Sequence, residues 1–314
     1  MRILYAAGNR LGSYYQLKRF LDSIAYKNHN IKVAAYKKSL GSLDVDYTLD
    51  CLLNFTDPLG TVSFNGNYSY YKNEIKRFNP DLIISDFEIY TSIIAHELKI
   101  KLWQISPLNL YYALNAKTKQ NVGIHKHYSH LIESNHKRSE YINHALNYSS
   151  RKFVLSHLCD CESPTELVEG FEWARPDFLL GEDVDKYHYV IALAKSNKKI
   201  IHEFKSKHAV LFSPYMFEKY DMMAVEDIDS DSYKNALENC KVFISDGTAA
   251  FLADAFYNQK YSISIPRYDD IETIVASYMN EHCGVGKIDF GPPAKVNIKI
   301  NEKIKLVSEY LDEL

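Results

Sequence analysis

The run Val242-Phe243-Ile244-Ser245-Asp246-Gly247-Thr248-Ala249-Ala250 has the residue types and order of an anion site. An apolar stretch ends in a Ser-Asp-Gly turn, and the residues that follow are too small to cover the backbone. The first amides of a helix have no intrahelical acceptor and attract anions by direct hydrogen bonds and by the local dipole. Gly247, Thr248 and Ala249 are therefore candidate contacts for a phosphate or pyrophosphate. Asp254, about two turns into the same helix, has the side chain that accepts hydrogen bonds from ribose hydroxyls in dinucleotide folds. Small residues packed for structure alone would produce the same pattern.

A second group lies in the first third of the chain. Asp86 and Glu88 follow the apolar run Leu82-Ile83-Ile84-Ser85. In open α/β sheets ligands bind at the carboxyl ends of strands, where a carboxylate can accept the proton of an attacking hydroxyl. Asp86 is the first candidate base and Glu88 the second, and either would equally suit as the cap of the next helix. The loop Gly8-Asn9-Arg10-Leu11-Gly12-Ser13 adds Gly12 and Ser13, since glycine lets a ligand approach the backbone closely. Arg10 and Arg267 are cations that could neutralise a diphosphate, with a surface salt bridge as the alternative fate of each.

These residues sit between elements of alternating type. Strand-like runs (Arg2 to Ala7, Ile31 to Tyr36, Asp81 to Ser85, Lys101 to Ile105) alternate with helix-like ones (Leu11 to Ala25, Tyr70 to Phe78, Ile89 to Leu98). Pro80 and Pro107 punctuate them. The alternation resumes after residue 188, with strands over Tyr189 to Leu193, Ala209 to Phe212, Met222 to Val225, Val242 to Ser245 and Tyr261 to Ile265. Helices are expected over Lys198 to Phe204, Asp231 to Asn239, Thr248 to Tyr257 and Asp270 to Glu281, and an amphipathic helix over Ile304 to Leu314. The fold class is α/β, with two parallel sheets covered on both faces.

Two stretches break the rhythm. Tyr111 to Lys152 is basic, with Lys117, Lys119, Lys126, Lys137, Arg138, Arg151 and Lys152 against Glu133 and Glu140. Cys159 to Asp185 is acidic and interrupted by Pro164, Gly170, Pro176 and Gly181, which marks it as an irregular interdomain connection. The expected domains are 1–178 and 179–314, with the last helix able to return to the first.

Downstream of the anion-friendly turn come Ile265-Pro266-Arg267, Asp269-Asp270-Ile271-Glu272 and Gly284-Val285-Gly286. In this order the segment resembles the donor domain of GT-B glycosyltransferases, especially the MurG-like and UDP-glycosyltransferase-like groups. The resemblance covers about 45 residues closely and the rest only in architecture. It implies two Rossmann-like domains with a cleft between them, the first binding the acceptor and the second a nucleotide-sugar. It also implies that Gly247, Thr248 and Ala249 hold the diphosphate, Asp254 the ribose, and Asp269, Asp270 and Glu272 the sugar, with the main chain near Ile228 reading the nucleobase. The sequence departs from the family in having one glycine where two are usual, Asp254 in place of Glu and Thr273 in place of Gln. No catalytic histidine follows the first glycine loop, where Ser13, Tyr14 and Tyr15 stand instead.

The expected activity is hexosyl or pentosyl transfer from a nucleotide-diphosphate sugar, UDP-linked by resemblance, to a hydroxyl. The basic stretch would suit a polyanionic acceptor, and a hydroxymethylated base in duplex DNA is one, as in some phage enzymes of the GT-B type. A solvated charged flap is the bland alternative. A nucleotide-sugar 2-epimerase of the same fold and a non-catalytic nucleotide-sugar or nucleic-acid binding module are the other readings. No cofactor beyond the co-substrate is expected. No metal is expected either: Asp-x-Asp at Asp44, Asp183, Asp227 and Asp229 recurs by chance, and the histidines lack ligand spacing. A net charge of -3 argues against a generally basic nucleic-acid binder. No apolar run reaches membrane-spanning length, and five cysteines without a CxxC pair fit reduced thiols in a cytoplasm.

Overall fold

A computed structural model describes residues 1–8, 11–25, 27–36, 45–49, 67–124, 142–143, 145–177, 189–195, 197–204, 209–213, 224–227, 231–268, 270–288, 296 and 298–314. The first sheet contains β1 (Arg2–Ala6), β2 (Asn30–Tyr36), β3 (Tyr47–Leu49), β4 (Leu82–Ser85), β5 (Lys101–Ser106), β6 (Arg151–Leu155) and β7 (Glu172–Ala174). Their spatial order is β3-β2-β1-β4-β5-β6-β7. The second sheet contains β8 (Tyr189–Ala192), β9 (Ala209–Ser213), β10 (Ala224–Asp227), β11 (Val242–Ser245), β12 (Tyr261–Ser264) and β13 (Gly286–Ile288), in the order β10-β9-β8-β11-β12-β13. Every pairing between these strands is parallel. The strand order reverses direction between β1 and β4 in one sheet and between β8 and β11 in the other, and these switch points are where open α/β sheets bind ligands.

The helices on the first sheet are α1 (Leu11–Ile24), α2 (Asn67–Phe78), α3 (Ile89–Leu98), α4 (Asn109–Ala113) and α5 (Ala116–Val122). Those following the strands of the second are α6 (Lys198–Phe204), α7 (Asp231–Asn239), α8 (Ala249–Tyr257) and α9 (Ile271–His282). Strands β1, β4, β5, β8, β9, β11 and β12 are buried almost throughout, which explains why they read as continuous apolar runs.

Three expectations need correcting. The acidic stretch after Cys159 is not merely a connection: Glu172–Ala174 adds β7 to the edge of the first sheet, pairing with Phe153 to Leu155. Two of its charges are paired locally, Glu172 with Arg151 and Asp160 with Arg175. The run Phe153 to His157 also reads as strand-like in the sequence, but β6 ends at Leu155 and His157–Asp160 forms a 3-10 turn. The C-terminal helix is short, a four-residue turn at Val307–Tyr310 (α10) followed by a 3-10 turn at Leu311–Glu313. Val307, Tyr310 and Leu311 pack into the core beneath the first sheet with Phe20, Trp103 and Phe153, and Arg175 bridges to Leu306.

The two halves share apolar seams. Tyr14 and Tyr15 of α1 pack among residues of the second half, with the Tyr15 and Phe251 ring centroids 4.9 Å apart. On the other side of the molecule Leu108, Leu110 and Leu158 share a cluster with Phe256, Ile271, Val275 and Met279. Polar bonds accompany them: Asp160 accepts from the Tyr257 hydroxyl (2.6 Å), and His157 Nε2 lies 2.9 Å from Asn280 Oδ1.

Candidate functional site

The turn after β11 is built around Asp246. Its buried carboxylate takes five donors: the amides of Ala194 and Lys195 at the end of β8 (3.1 and 3.2 Å), the amide and hydroxyl of Thr248 (3.2 and 2.7 Å), and Arg267. The carboxylate thus ties together the two strands that flank the switch point and fixes the entry into α8. Gly247 has φ 81, a left-handed conformation that favours glycine. A Cβ there would also lie 2.8 Å from the Thr273 carbonyl and against Ser277 Oγ. The glycine is therefore required by both backbone and packing, and it lets α9 press on the turn.

Thr248 is the N-cap of α8 but gives no side-chain capping bond, because its hydroxyl serves Asp246. Phe251 N donates to the Thr248 carbonyl (3.0 Å), while the amides of Ala249 and Ala250 have no acceptor among the described residues. Ala249 and Ala250 expose little surface. The arrangement is an uncapped helix start with two unengaged donors.

Arg267 is buried, its guanidinium bonded to both Asp246 and Asp270. Burial alone would lower its pKa, but the two carboxylates outweigh it and hold it above the ordinary arginine value. Its charge is already neutralised in this arrangement, so neither the surface salt bridge nor a free cation for a diphosphate describes it. Asp270 caps α9, accepting from Glu272 N (3.0 Å), and Thr273 Oγ1 bonds within the same loop, accepting from Arg267 N (3.0 Å). Ile228, Asp269 and Arg10 lie outside the described residues.

The two halves meet over this turn. A Cβ on Gly12, in the first turn of α1, would lie 2.7 Å from Glu272 Oε1 and 3.4 Å from Thr248 Cγ2. Gly12, Thr248 and Glu272, distant in sequence, are thus brought together, and Ser13, next along α1, is buried.

Asp254 does not face this junction as a ribose acceptor. It is fully buried, accepting from Arg19 of α1 and from the Tyr233 hydroxyl (3.0 Å). Arg19 also donates to the Ala250 carbonyl (3.2 Å). The helical period that puts position 254 on the inner side of α8 sets it against α1, where a buried charge needs a cation.

The carboxyl end of β4 repeats the geometry of β11. Ile84-Ser85-Asp86 matches Ile244-Ser245-Asp246, and Phe87 has φ 57 where Gly247 has φ 81. A non-glycine residue held in the left-handed region marks a strained elbow. Asp86 is fully buried, and its amide donates to the Ala6 carbonyl across the switch point (2.9 Å). Glu88, expected as the second base, is instead the N-cap of α3. Its carboxylate accepts from Tyr90 N (3.1 Å), Thr91 N (2.6 Å), Thr91 Oγ1 (2.5 Å) and the Tyr36 hydroxyl (2.6 Å). Four donors engage its carboxylate in capping α3 and holding Tyr36. Capping was foreseeable for this pair, but it falls to Glu88 rather than Asp86.

No family model matches the sequence, and no curated protein resembles it. Solved structures do. The glycosyltransferase SsfS6 of Streptomyces sp. SF2575, complexed with thymidine diphosphate, aligns with a TM-score of 0.60 at 12% identity, over 92% of this chain and 87% of its own. CalG4, the calicheamicin glycosyltransferase, aligns with a TM-score of 0.60 at 12% identity over 91% and 85%. S. aureus MnaA, in a co-structure with UDP, aligns with a TM-score of 0.52 at 10% identity over 84% and 78%.

The fold is GT-B.

Within this GT-B fold, sequence reasoning missed Asp246 and, on α1, Arg19. Asp246 had a signal in the repeated Ile-Ser-Asp of the two halves. Arg19 had none, because its role depends on where α1 lies against α8. Part of the basic stretch is engaged locally. Lys126, Lys137 and Arg138 lie outside the described residues, Arg151 is paired with Glu172 and Glu313, and Lys119 Nζ sits 4.2 Å from the Tyr111 ring centroid. Among the described residues no group of His, Cys, Asp and Glu is arranged to hold a metal ion, and no helix is long and apolar enough to cross a membrane.

Proposed function

We propose that this chain is a glycosyltransferase that moves a sugar from a nucleotide diphosphate, UDP in the first instance, to a hydroxyl acceptor. The observation that carries this is the junction of Gly12 with Thr248 and Glu272. It sets the uncapped start of α8 against the first helix of the other half, in a GT-B fold. Under this reading the diphosphate lies at Ala249 and Ala250, and the sugar lies toward Asp270 and Glu272. The acceptor oxygen attacks the anomeric carbon, the bond from that carbon to the phosphate oxygen breaks, and the nucleoside diphosphate departs with the bonding pair. Asp86 takes the acceptor's proton, so no further cofactor is needed for balance. The backbone donors at α8 stabilise the charge that develops on the leaving diphosphate.

The test is incubation with UDP-, TDP- and GDP-sugars, each with oligosaccharide and with hydroxymethylated duplex DNA as acceptor. Nucleoside diphosphate release coupled to acceptor glycosylation supports the reading. A changed sugar stereocentre without transfer points to an epimerase, and binding without turnover to a binding module. Transfer to DNA that weakens steeply with salt would identify a polyanionic acceptor. Asp86→Asn should lower the transfer rate by about 10²–10⁴-fold while sparing diphosphate affinity, and full transfer by this variant would remove Asp86 as the base.

A further inference from the structure

The inner face of α1 carries Gly12, Gln16 and Arg19, spaced so that they stack along one stripe of the helix. Both ends of the stripe are anchored on the second half. Gly12 abuts Thr248 and Glu272, and Arg19 bonds to the Ala250 carbonyl and Asp254. Gln16 lies between them and so faces the first turn of α8. Helical side chains lean toward the N-terminus of their own helix, which carries the Gln16 amide toward Gly12, where no Cβ obstructs it.

Gln16 is only 3% exposed, and its Nε2 has no hydrogen-bond partner. Ser13, one turn earlier and 1% exposed, has an equally unpartnered hydroxyl. Buried polar groups are almost always satisfied, so an orphaned amide here needs an occupant. The groups left over at this place are the Gln16 amide, the Ser13 hydroxyl and the amides of Ala249 and Ala250. Three are N–H donors and the fourth can donate. A sugar hydroxyl must both give and accept, whereas phosphate oxygens only accept. A diphosphate therefore matches this set.

We propose that Gln16, with Ser13, is a diphosphate ligand that α1 contributes to the nucleotide-sugar site at the start of α8. This rests on the glycosyltransferase reading above and adds to it a contact from the opposite half of the molecule. Glu272 Oε1 also lies against Gly12, so one carboxylate borders the site.

Titration calorimetry with UDP, TDP and GDP identifies the diphosphate bound most tightly, and its nucleoside serves as the phosphate-free control. Gln16→Met keeps the length and volume of the side chain and removes the amide. It should weaken diphosphate binding about tenfold, leave the nucleoside unchanged, and unfold at the same or a higher temperature without ligand, because an orphaned donor is gone. Gln16→Glu, which sets a carboxylate against the phosphates, should weaken binding further. Unchanged diphosphate affinity in both variants would overturn the assignment. So would a lower unliganded melting temperature of Gln16→Met with unchanged affinity, which would mark Gln16 as a structural residue. Wild-type protein that binds none of the three diphosphates would instead overturn the donor-site reading itself, and this inference with it.

Discussion

Arg19→Met separates the structural role of Asp254 from the role its sequence position suggests. The Arg19 side chain is 7% exposed and Asp254 is fully buried, so the pair is out of water and bridges the two halves. The variant removes the cation from a buried carboxylate and the donor from the Ala250 carbonyl. Breaking one side of a buried pair costs about 3–5 kcal/mol, because the remaining charge loses its compensation. At about 2–4 °C per kcal/mol this lowers the melting temperature by roughly 10 °C. The double variant Arg19→Met/Asp254→Leu replaces the pair by apolar groups and should recover most of that loss. Urea and thermal denaturation of the wild type, Arg19→Met, Asp254→Leu and the double variant measure the coupling. A single-variant cost below about 1 kcal/mol, the range of exposed pairs, or a double variant no more stable than Arg19→Met, would refute the reasoning. Asp254→Asn provides the converse check: a ribose ligand would lose nucleotide affinity at constant stability, and the buried bridge would lose stability first.

Gly247→Ala should cost about 2–4 kcal/mol, from the left-handed backbone and from contact with the Thr273 carbonyl. It should also abolish diphosphate binding, which calorimetry would read. Glu88→Ala removes the α3 cap and the acceptor of the Tyr36 hydroxyl, so a stability loss of about 2 kcal/mol is expected in denaturant titration. His157 is buried, and desolvation lowers its pKa to about 4 despite the bond to Asn280. The folded state therefore holds it neutral while the unfolded chain takes up a proton below about 6.5. Its contribution is intact above that pH and is lost as pH falls toward 4, by about 3 kcal/mol in all. Asp177 runs the other way. Burial raises it to about 7, so its penalty grows as pH rises from about 4 to 7. Asp177→Asn should raise stability at pH 8, and His157→Gln should flatten the acid limb of the stability profile. Both are measurable as denaturant midpoints across pH.

Much of the fold was legible because its signals are local. Helices over Ile89–Leu98, Lys198–Phe204 and Asp231–Asn239 and the strand Val242–Ser245 follow from apolar periodicity and flanking breakers, and the structure has those bounds. β3, β7 and β13 were not legible: each is three residues long, too short for a periodic signal, and exists because a longer neighbour offers its edge. The C-terminal turn was overread for a related reason. Its amphipathic pattern serves packing under the first sheet, which a single helical turn already satisfies.

The sequence by itself determined the α/β alternation, the tight turn at Gly247 and the small residues that leave the start of α8 uncovered. All three depend on neighbours within a few positions. Only the tertiary structure decided which carboxylates are available for chemistry. Asp86, Glu88, Asp246, Asp254 and Glu272 are the same kinds of side chain in similar local settings. Their roles diverge because burial makes each charge find its donors, and those donors come from distant segments. Glu88 is taken up by Tyr36 and the start of α3, Asp246 by Ala194, Lys195 and Arg267, and Asp254 by Arg19. Glu272 is brought to Gly12 by the packing of one half on the other.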